Sequence, residues 1–134
     1  MRRTPGPLLC ELHAHTTWSD GDLAVPELVD LYGRHGFDVL CVTDHVVRSD
    51  DPWLRQGASV SAIDESCFPT YLAEVEYEAQ RAWKTYGMVV IPGIELTYND
   101  EVADEAAHAV AIGLRDFVPV DDGIDRAMRI AASR

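Results

Sequence analysis

Val39-Leu40-Cys41-Val42-Thr43-Asp44-His45 sets four apolar residues directly before a polar triplet. A short, unbroken apolar run suits a strand covered on both faces, as a parallel sheet covers its strands. Upstream, Val25 to His35 carries Leu28, Leu31, Tyr32 and His35 on one helical face. Pro26 stands near its start and Gly36 just past its end, the usual punctuation of a helix. Before that helix, Leu8 to Leu12 reads as a strand ending in His13-Ala14-His15. Downstream, Ser49 to Phe68 is mostly polar and aperiodic, a long loop of the functional or mobile sort. Leu72, Val75, Ala79, Ala82 and Tyr86 then recur at helical spacing, and Gly87 closes the helix. Met88-Val89-Val90-Ile91 repeats the buried-strand pattern. His108 to Leu114 reads as a fourth strand and Ile124 to Ala132 as a last helix. This alternation predicts an α/β fold on a largely parallel sheet.

The 134 residues suffice for one domain, whereas a complete (β/α) barrel takes about 250. The net charge is −12 and Lys84 is the single lysine. That excludes a GK[ST] phosphate loop and argues against a grip on nucleic acid, which needs clustered cations. No apolar run approaches the ~20 residues of a membrane helix, and the basic amino terminus lacks the apolar stretch of a signal peptide. Cys10, Cys41 and Cys67 are odd in number and lack C-x-x-C spacing, as expected for reduced thiols in a cytoplasmic protein.

In parallel α/β sheets ligands gather beyond the carboxyl ends of the strands, and the chemically capable residues collect there. His13, His15 and Asp20 follow the first strand, Thr43, Asp44 and His45 the second, and Gly93 and Glu95 the third. His108 opens the fourth. His13 and His15, two apart, point to one side and can share an ion. Mixed imidazole and carboxylate donors suit Zn²⁺, Mn²⁺ or Fe²⁺. Each piece has an everyday alternative. An isolated H-x-H is more often surface histidine than ligand, Asp20-Gly21 is a turn signal, and Asp44-His45 can be a structural pair. Their joint placement at successive strand ends outweighs these.

Glu11-Leu12-His13-Ala14-His15-Thr16-Thr17-Trp18-Ser19-Asp20-Gly21 closely resembles the first motif of the PHP (polymerase and histidinol phosphatase) superfamily. Val42-Thr43-Asp44-His45 resembles its second motif and Pro92-Gly93-Ile94-Glu95 its third, while the segment around His108 is similar to the strand that follows. The resemblance runs from Leu9 to about Leu114. It implies a cluster of two or three divalent ions (Mn, Zn or Fe). His13 and His15 would hold the first, with Glu95 bridging to a second that His108 also binds, and Asp20 and His45 would hold a third. Asp44 is expected to orient the ligands, and Arg48 to meet a substrate phosphate. The implied reaction is hydrolysis of a phosphoester in a small phosphorylated substrate by a metal-bridging hydroxide. A non-catalytic metal-binding or interaction module is one alternative. Another is a metal-dependent amidohydrolase, many of which bridge their metals with a carboxylated lysine.

The resemblance also implies a fold, a distorted TIM-like (β/α)7 barrel with mostly parallel strands, of which residues 1–134 would supply the amino-terminal half. Glu11 stands where many members carry aspartate. The later ligands of the superfamily, another histidine and an Asp-x-His pair, have no counterpart here. The expectation is therefore a partial PHP domain, a fragment or one half of an assembly completed by a second chain. Such a piece would expose a strand edge and one face of its core.

Overall fold

The computed structural model describes residues 6–55 and 61–134. Most of the basic amino-terminal stretch, and positions 56–60 of the loop expected over Ser49–Phe68, lie outside the described residues. The described residues form five strands and three helices, in the order β1 (Cys10–Ala14), α1 (Val25–Arg34), β2 (Val39–Val42), β3 (His45–Val46), α2 (Phe68–Tyr86), β4 (Val89–Tyr98), β5 (Ala107–Ile112) and α3 (Ile124–Ala132). The expected helices are all present. α2 starts a turn earlier than its apolar spacing suggests, because Pro69 fits the first turn, where its missing N–H costs nothing. It ends at Gly87, whose φ of 67° is left-handed. The long loop contains a short 3-10 turn at Pro52–Arg55.

β1 pairs parallel with β2, and β2 parallel with β4. Val39 lies opposite Val89 and Val42 opposite Pro92. Thr43 and Asp44 then step out of the ladder, and pairing resumes with His45 opposite Glu95 and Val46 opposite Leu96. β3 thus continues β2 in the same register. β5 runs antiparallel along the other edge of β4, from Gly93 opposite Ile112 to Tyr98 opposite Ala107. The sheet is therefore largely parallel with one antiparallel strand at its edge.

One expectation is corrected. The strand beginning near Met88 does not stop at Ile91 but runs unbroken to Tyr98, so Gly93 and Glu95 lie within it rather than after it. Pro92 is tolerated because it sits at a seam, where pairing with β2 ends and pairing with β5 begins. Gly93 is required at the same seam. A Cβ there would run into the Ala111 carbonyl oxygen and lie 3.2 Å from the Thr43 methyl.

Leu40, Val42, Val46, Ile94 and Leu96 pack on one face of the sheet with Val29 of α1 and Tyr71 and Val75 of α2, all fully buried. Each such side chain contributes about 1.5–3 kcal/mol by leaving water. The two longer helices are clamped together by Arg81 of α2, which donates to Asp30 of α1 at 2.7 Å and is steadied by Glu78 on its own helix, and by the Tyr86 hydroxyl, which donates to Asp30 at 2.8 Å. By strand alternation Val89, Ile91, Gly93, Glu95 and Thr97 point to the opposite face, together with Ile112, Val110 and His108, their partners on β5. This second face carries exposed apolar residues at Val89, Val110 and Ile112. Its imidazoles and carboxylate come from β1, β3, β4 and β5.

Candidate metal centre

β1 delivers the first histidines through an irregularity. Three steps along β1, from Glu11 to Ala14, oppose two along β2, from Leu40 to Val42. The extra residue is a bulge, a device that re-aims side chains. Ala14 packs into the core while His13 and His15 turn to the other face. The loop that follows folds back at Gly21, whose N–H donates to the Thr16 carbonyl at 2.9 Å. That turn brings Asp20 back to His15.

Asp44 is fully buried and holds this loop. Its Oδ1 accepts from the Thr16 N–H at 2.7 Å and the Ser19 hydroxyl at 2.6 Å, and its Oδ2 accepts from the Thr16 hydroxyl at 2.9 Å. The residue expected to orient ligands thus acts on the segment that carries His15 and Asp20. Its own carboxylate is saturated by hydroxyl and amide donors.

Six of the eight residues singled out in the sequence meet at one place. Glu95 Oε2 lies 3.5 Å from His13 Nε2, 2.9 Å from His15 Nε2 and 3.2 Å from His45 Nδ1. Glu95 Oε1 lies 2.8 Å from His108 Nδ1. Asp20 closes the other side, 2.5 Å from His15 Nδ1 and 3.5 Å from His45 Nε2. The imidazoles stand edge to face, with centroids 4.7 Å apart for His13 and His15 and 4.3 Å for His15 and His45. Two sets of three donors are close enough to share an ion: His13, His15 and Glu95, and His15, Asp20 and His45. His108 joins neither set and docks on Glu95 from the side.

The hydrogen-bond partners assign the tautomers. Thr43 Oγ1 lies 2.8 Å from His13 Nδ1, and Thr97 Oγ1 lies 2.6 Å from His45 Nδ1. The Thr97 hydroxyl donates to the Glu95 carbonyl at 3.2 Å, so toward His45 it accepts. Asp20 accepts from His15 Nδ1. A neutral ring that keeps its proton on Nδ1 for such a partner presents an Nε2 lone pair, the state a metal ligand needs. Thr97 and Asn99, whose Oδ1 is 3.3 Å from His108 Nε2, carried no signal as isolated residues. Thr97 shares the strand face of Glu95 at a spacing of two, and that period was the clue to it.

Burial lowers the His45 pKa, and the His15 and His108 charges push the same way against the opposing pull of Glu95 and Asp20. Burial thus favours the neutral imidazole at His45. For Asp20, burial acts to raise the pKa, but the hydrogen bond from His15 and the charges of His45 and His15 outweigh it and leave the carboxyl below its ordinary value.

The donor set passes a direct test of fit for a cation. His15 Nε2 and Glu95 Oε2 are both buried, face each other at 2.9 Å, and make no hydrogen bond. Buried polar atoms left without a partner are costly, and a divalent ion bound by both would satisfy them.

Arg48 stands apart from this cluster. Its guanidinium lies 4.4 Å above the Tyr98 ring and donates to the Asn99 carbonyl at 2.7 Å. Trp53, from the 3-10 turn, sets its ring edge-on to His45 at 4.9 Å. Lys84, which an amidohydrolase reading would need near the metals, is exposed in the last turn of α2.

Residues 11–121 match the family described as the PHP domain. The chain belongs to the PHP domain family. This PHP domain is similar to the DNA polymerase/3′-5′ exonuclease PolX of Bacillus subtilis (strain 168), at 26% identity over 106 residues, covering 79% of this chain and 18% of that protein. Among solved structures it is similar to a two-domain protein of Bacteroides vulgatus ATCC 8482, described as containing a "predicted PHP-like metal-dependent phosphoesterase". That likeness has a TM-score of 0.58 at 24% identity, and covers 99% of this chain and 37% of the other. The chain therefore spans well under half the length of either protein. The fold agrees with the expected class, a mixed α/β half barrel with a curled, mostly parallel sheet and three helices, as in part of a TIM-like PHP barrel. Among the described residues no helix is long and apolar enough to cross a membrane.

Proposed function

We propose that this PHP domain takes part in metal-dependent hydrolysis of a phosphoester in a small phosphorylated substrate. The observation that carries the reading is Glu95 Oε2, a buried carboxylate oxygen without a hydrogen bond, ringed by nitrogens of His13, His15 and His45. His13, His15 and Glu95 would hold one cation, and His45 with Asp20 another. His108 would join through Glu95 by exchanging its hydrogen bond for a coordination bond. Two or three Mn, Zn or Fe ions suit these donors. Divalent cations bound here would supply Lewis acidity, neutralising charge on a phosphoryl oxygen and acidifying the attacking water. Thr43, Thr97 and Asp20 hold the three imidazoles in one tautomer and orientation. Asp44 fixes the loop that carries two of the ligands. Arg48 reaches a substrate phosphate by giving up its bond to the Asn99 carbonyl.

The name of the Bacillus relative raises a nucleic acid strand as a second reading. A net charge of −12 favours a small substrate instead, because a strand is held through its phosphates by clustered cations. The exposed apolar face at Val89, Val110 and Ile112 supports a barrel completed by further residues or by a second chain. Three free thiols fit a reducing, cytoplasmic setting.

The test uses the full-length protein that carries this chain, with an aryl phosphate and added Mn²⁺. The expected result is metal-dependent release of phosphate, abolished in His13→Ala. Undiminished turnover in that variant overturns the assignment. The 134 residues alone are expected to bind metal and turn over weakly.

A further inference from the structure

Tyr71 is fully buried on α2, behind the sheet and away from the imidazoles. Its hydroxyl lies 3.0 Å from the Val42 carbonyl oxygen and 2.8 Å from that of Gly93. Those carbonyls flank the seam of the sheet. Val42 is the last residue of β2 before Thr43 and Asp44 leave the ladder, and Gly93 directly follows Pro92, which has no N–H to give. One phenolic proton shared between two acceptors therefore adds a tie between β2 and β4 at the break in the ladder, just before the Glu95 N–H donates to the Asp44 carbonyl at 2.9 Å. His45 lies three residues beyond the first carbonyl and Glu95 two beyond the second, and the two meet immediately past the tie. The phenol is the only polar group of Tyr71, and its ring is wedged between Trp18 and Phe68, with centroids 5.9 and 6.2 Å away. The hydroxyl is thus held in place by packing from both sides.

We infer that Tyr71 is a positioning residue for the metal centre, its hydroxyl setting the separation of His45 and Glu95 by holding together the two carbonyls at the break between β2 and β3. The inference rests on the metal-binding reading above and deepens it. Removing the hydroxyl leaves the apolar packing of the ring intact. It frees the two carbonyls and lets the strands part at the point from which both ligands are aimed.

The test compares the wild-type chain with Tyr71→Phe and Tyr86→Phe. The second variant loses the same group from the same helix, but its hydroxyl bonds Asp30 at the far end, between α1 and α2. Zn²⁺ affinity is measured by competition with a chromophoric chelator, and thermal unfolding is followed on the metal-free proteins. Tyr71→Phe is expected to bind Zn²⁺ about tenfold more weakly, as losses of indirect ligand support do, whereas Tyr86→Phe binds as wild type even where its unfolding temperature falls. Wild-type affinity in Tyr71→Phe, with only a lower unfolding temperature, makes the residue purely structural and overturns the inference alone. Failure of the wild-type chain to bind Zn²⁺ at all overturns the metal reading and this inference with it.

Discussion

Glu95 stands directly opposite His45 in the β3–β4 ladder, and its Oε2 lies 3.2 Å from His45 Nδ1. Neither residue is on a loop. Both are held by backbone pairing that resumes, in unchanged register, after Thr43 and Asp44 step out of the ladder, with the Glu95 N–H donating to the Asp44 carbonyl at 2.9 Å. Strand-borne ligands are placed more rigidly than loop-borne ones, so the centre is anchored on its Glu95–His45 side. His15 and Asp20, on the loop after β1, close it from the other.

Replacing Glu95 by glutamine keeps the size of the side chain and removes the negative charge that faces three imidazoles. The expected outcome is a chain that folds, by circular dichroism, yet retains almost no Mn²⁺ or Zn²⁺ on elemental analysis after desalting, where the wild type retains metal. Equal metal content in the two proteins would place the ions elsewhere.

Asp44 should matter chiefly to stability. Truncation to alanine strands the Thr16 N–H and the Thr16 and Ser19 hydroxyls in a buried site. Hydrogen bonds to a charged acceptor contribute about 1.5–3 kcal/mol each at most, and are not additive. Urea unfolding is expected to show a loss of about 3 kcal/mol, and a change below about 1 kcal/mol would mean that the loop does not depend on this clamp.

The sequence carried the clustering of the candidate donors, because histidines and carboxylates near successive strands leave a recognisable trace, and His13, His15, Asp20, His45, Glu95 and His108 do converge. The same reasoning ended the third strand at Ile91, because Pro92-Gly93 looks like loop punctuation. Its compatibility with a strand depends on what lies alongside, namely β2 leaving the ladder and β5 joining it, and that is a property of three chain segments together. Arg48 illustrates the converse. A cation shortly after the second motif suggests a phosphate contact, but its direction is set by Tyr98 and Asn99, some fifty residues away. The bulge in β1 was likewise hidden, since Glu11-Leu12-His13-Ala14 shows nothing unusual until it is paired with Leu40–Val42.

Gly93 should resist any side chain. An added methyl group meets the backbone carbonyl of Ala111, which cannot move without displacing β5. Gly93→Ala is expected to lower stability by about 1–3 kcal/mol, the usual cost of overpacking, and to speed amide hydrogen exchange selectively in β5. Since β5 carries His108, its 2.8 Å contact with Glu95 should loosen as well. Exchange rates in β5 equal to wild type would show that the strand does not depend on that close approach.

The metal-free protein should lose stability in acid through His45. Its folded pKa lies below the ordinary histidine value of about 6.5, mainly because burial penalises the imidazolium. As the pH falls through that value, the unfolded chain takes up a proton that the folded chain still refuses. Unfolding is then favoured until the folded form also titrates. Stability is thus fully present above about pH 6.5 and declines below it, with a slope from this single proton of no more than about 1.4 kcal/mol per pH unit. Asp20, whose pKa is also lowered, acts in the same direction at more acid pH, below the ordinary carboxylate value. Urea unfolding of chelator-treated protein should therefore give a lower midpoint at pH 5.5 than at pH 7.5. His45→Gln, which has nothing to protonate there, should show a smaller difference, and an equal difference in the two proteins would assign the acid sensitivity to other groups.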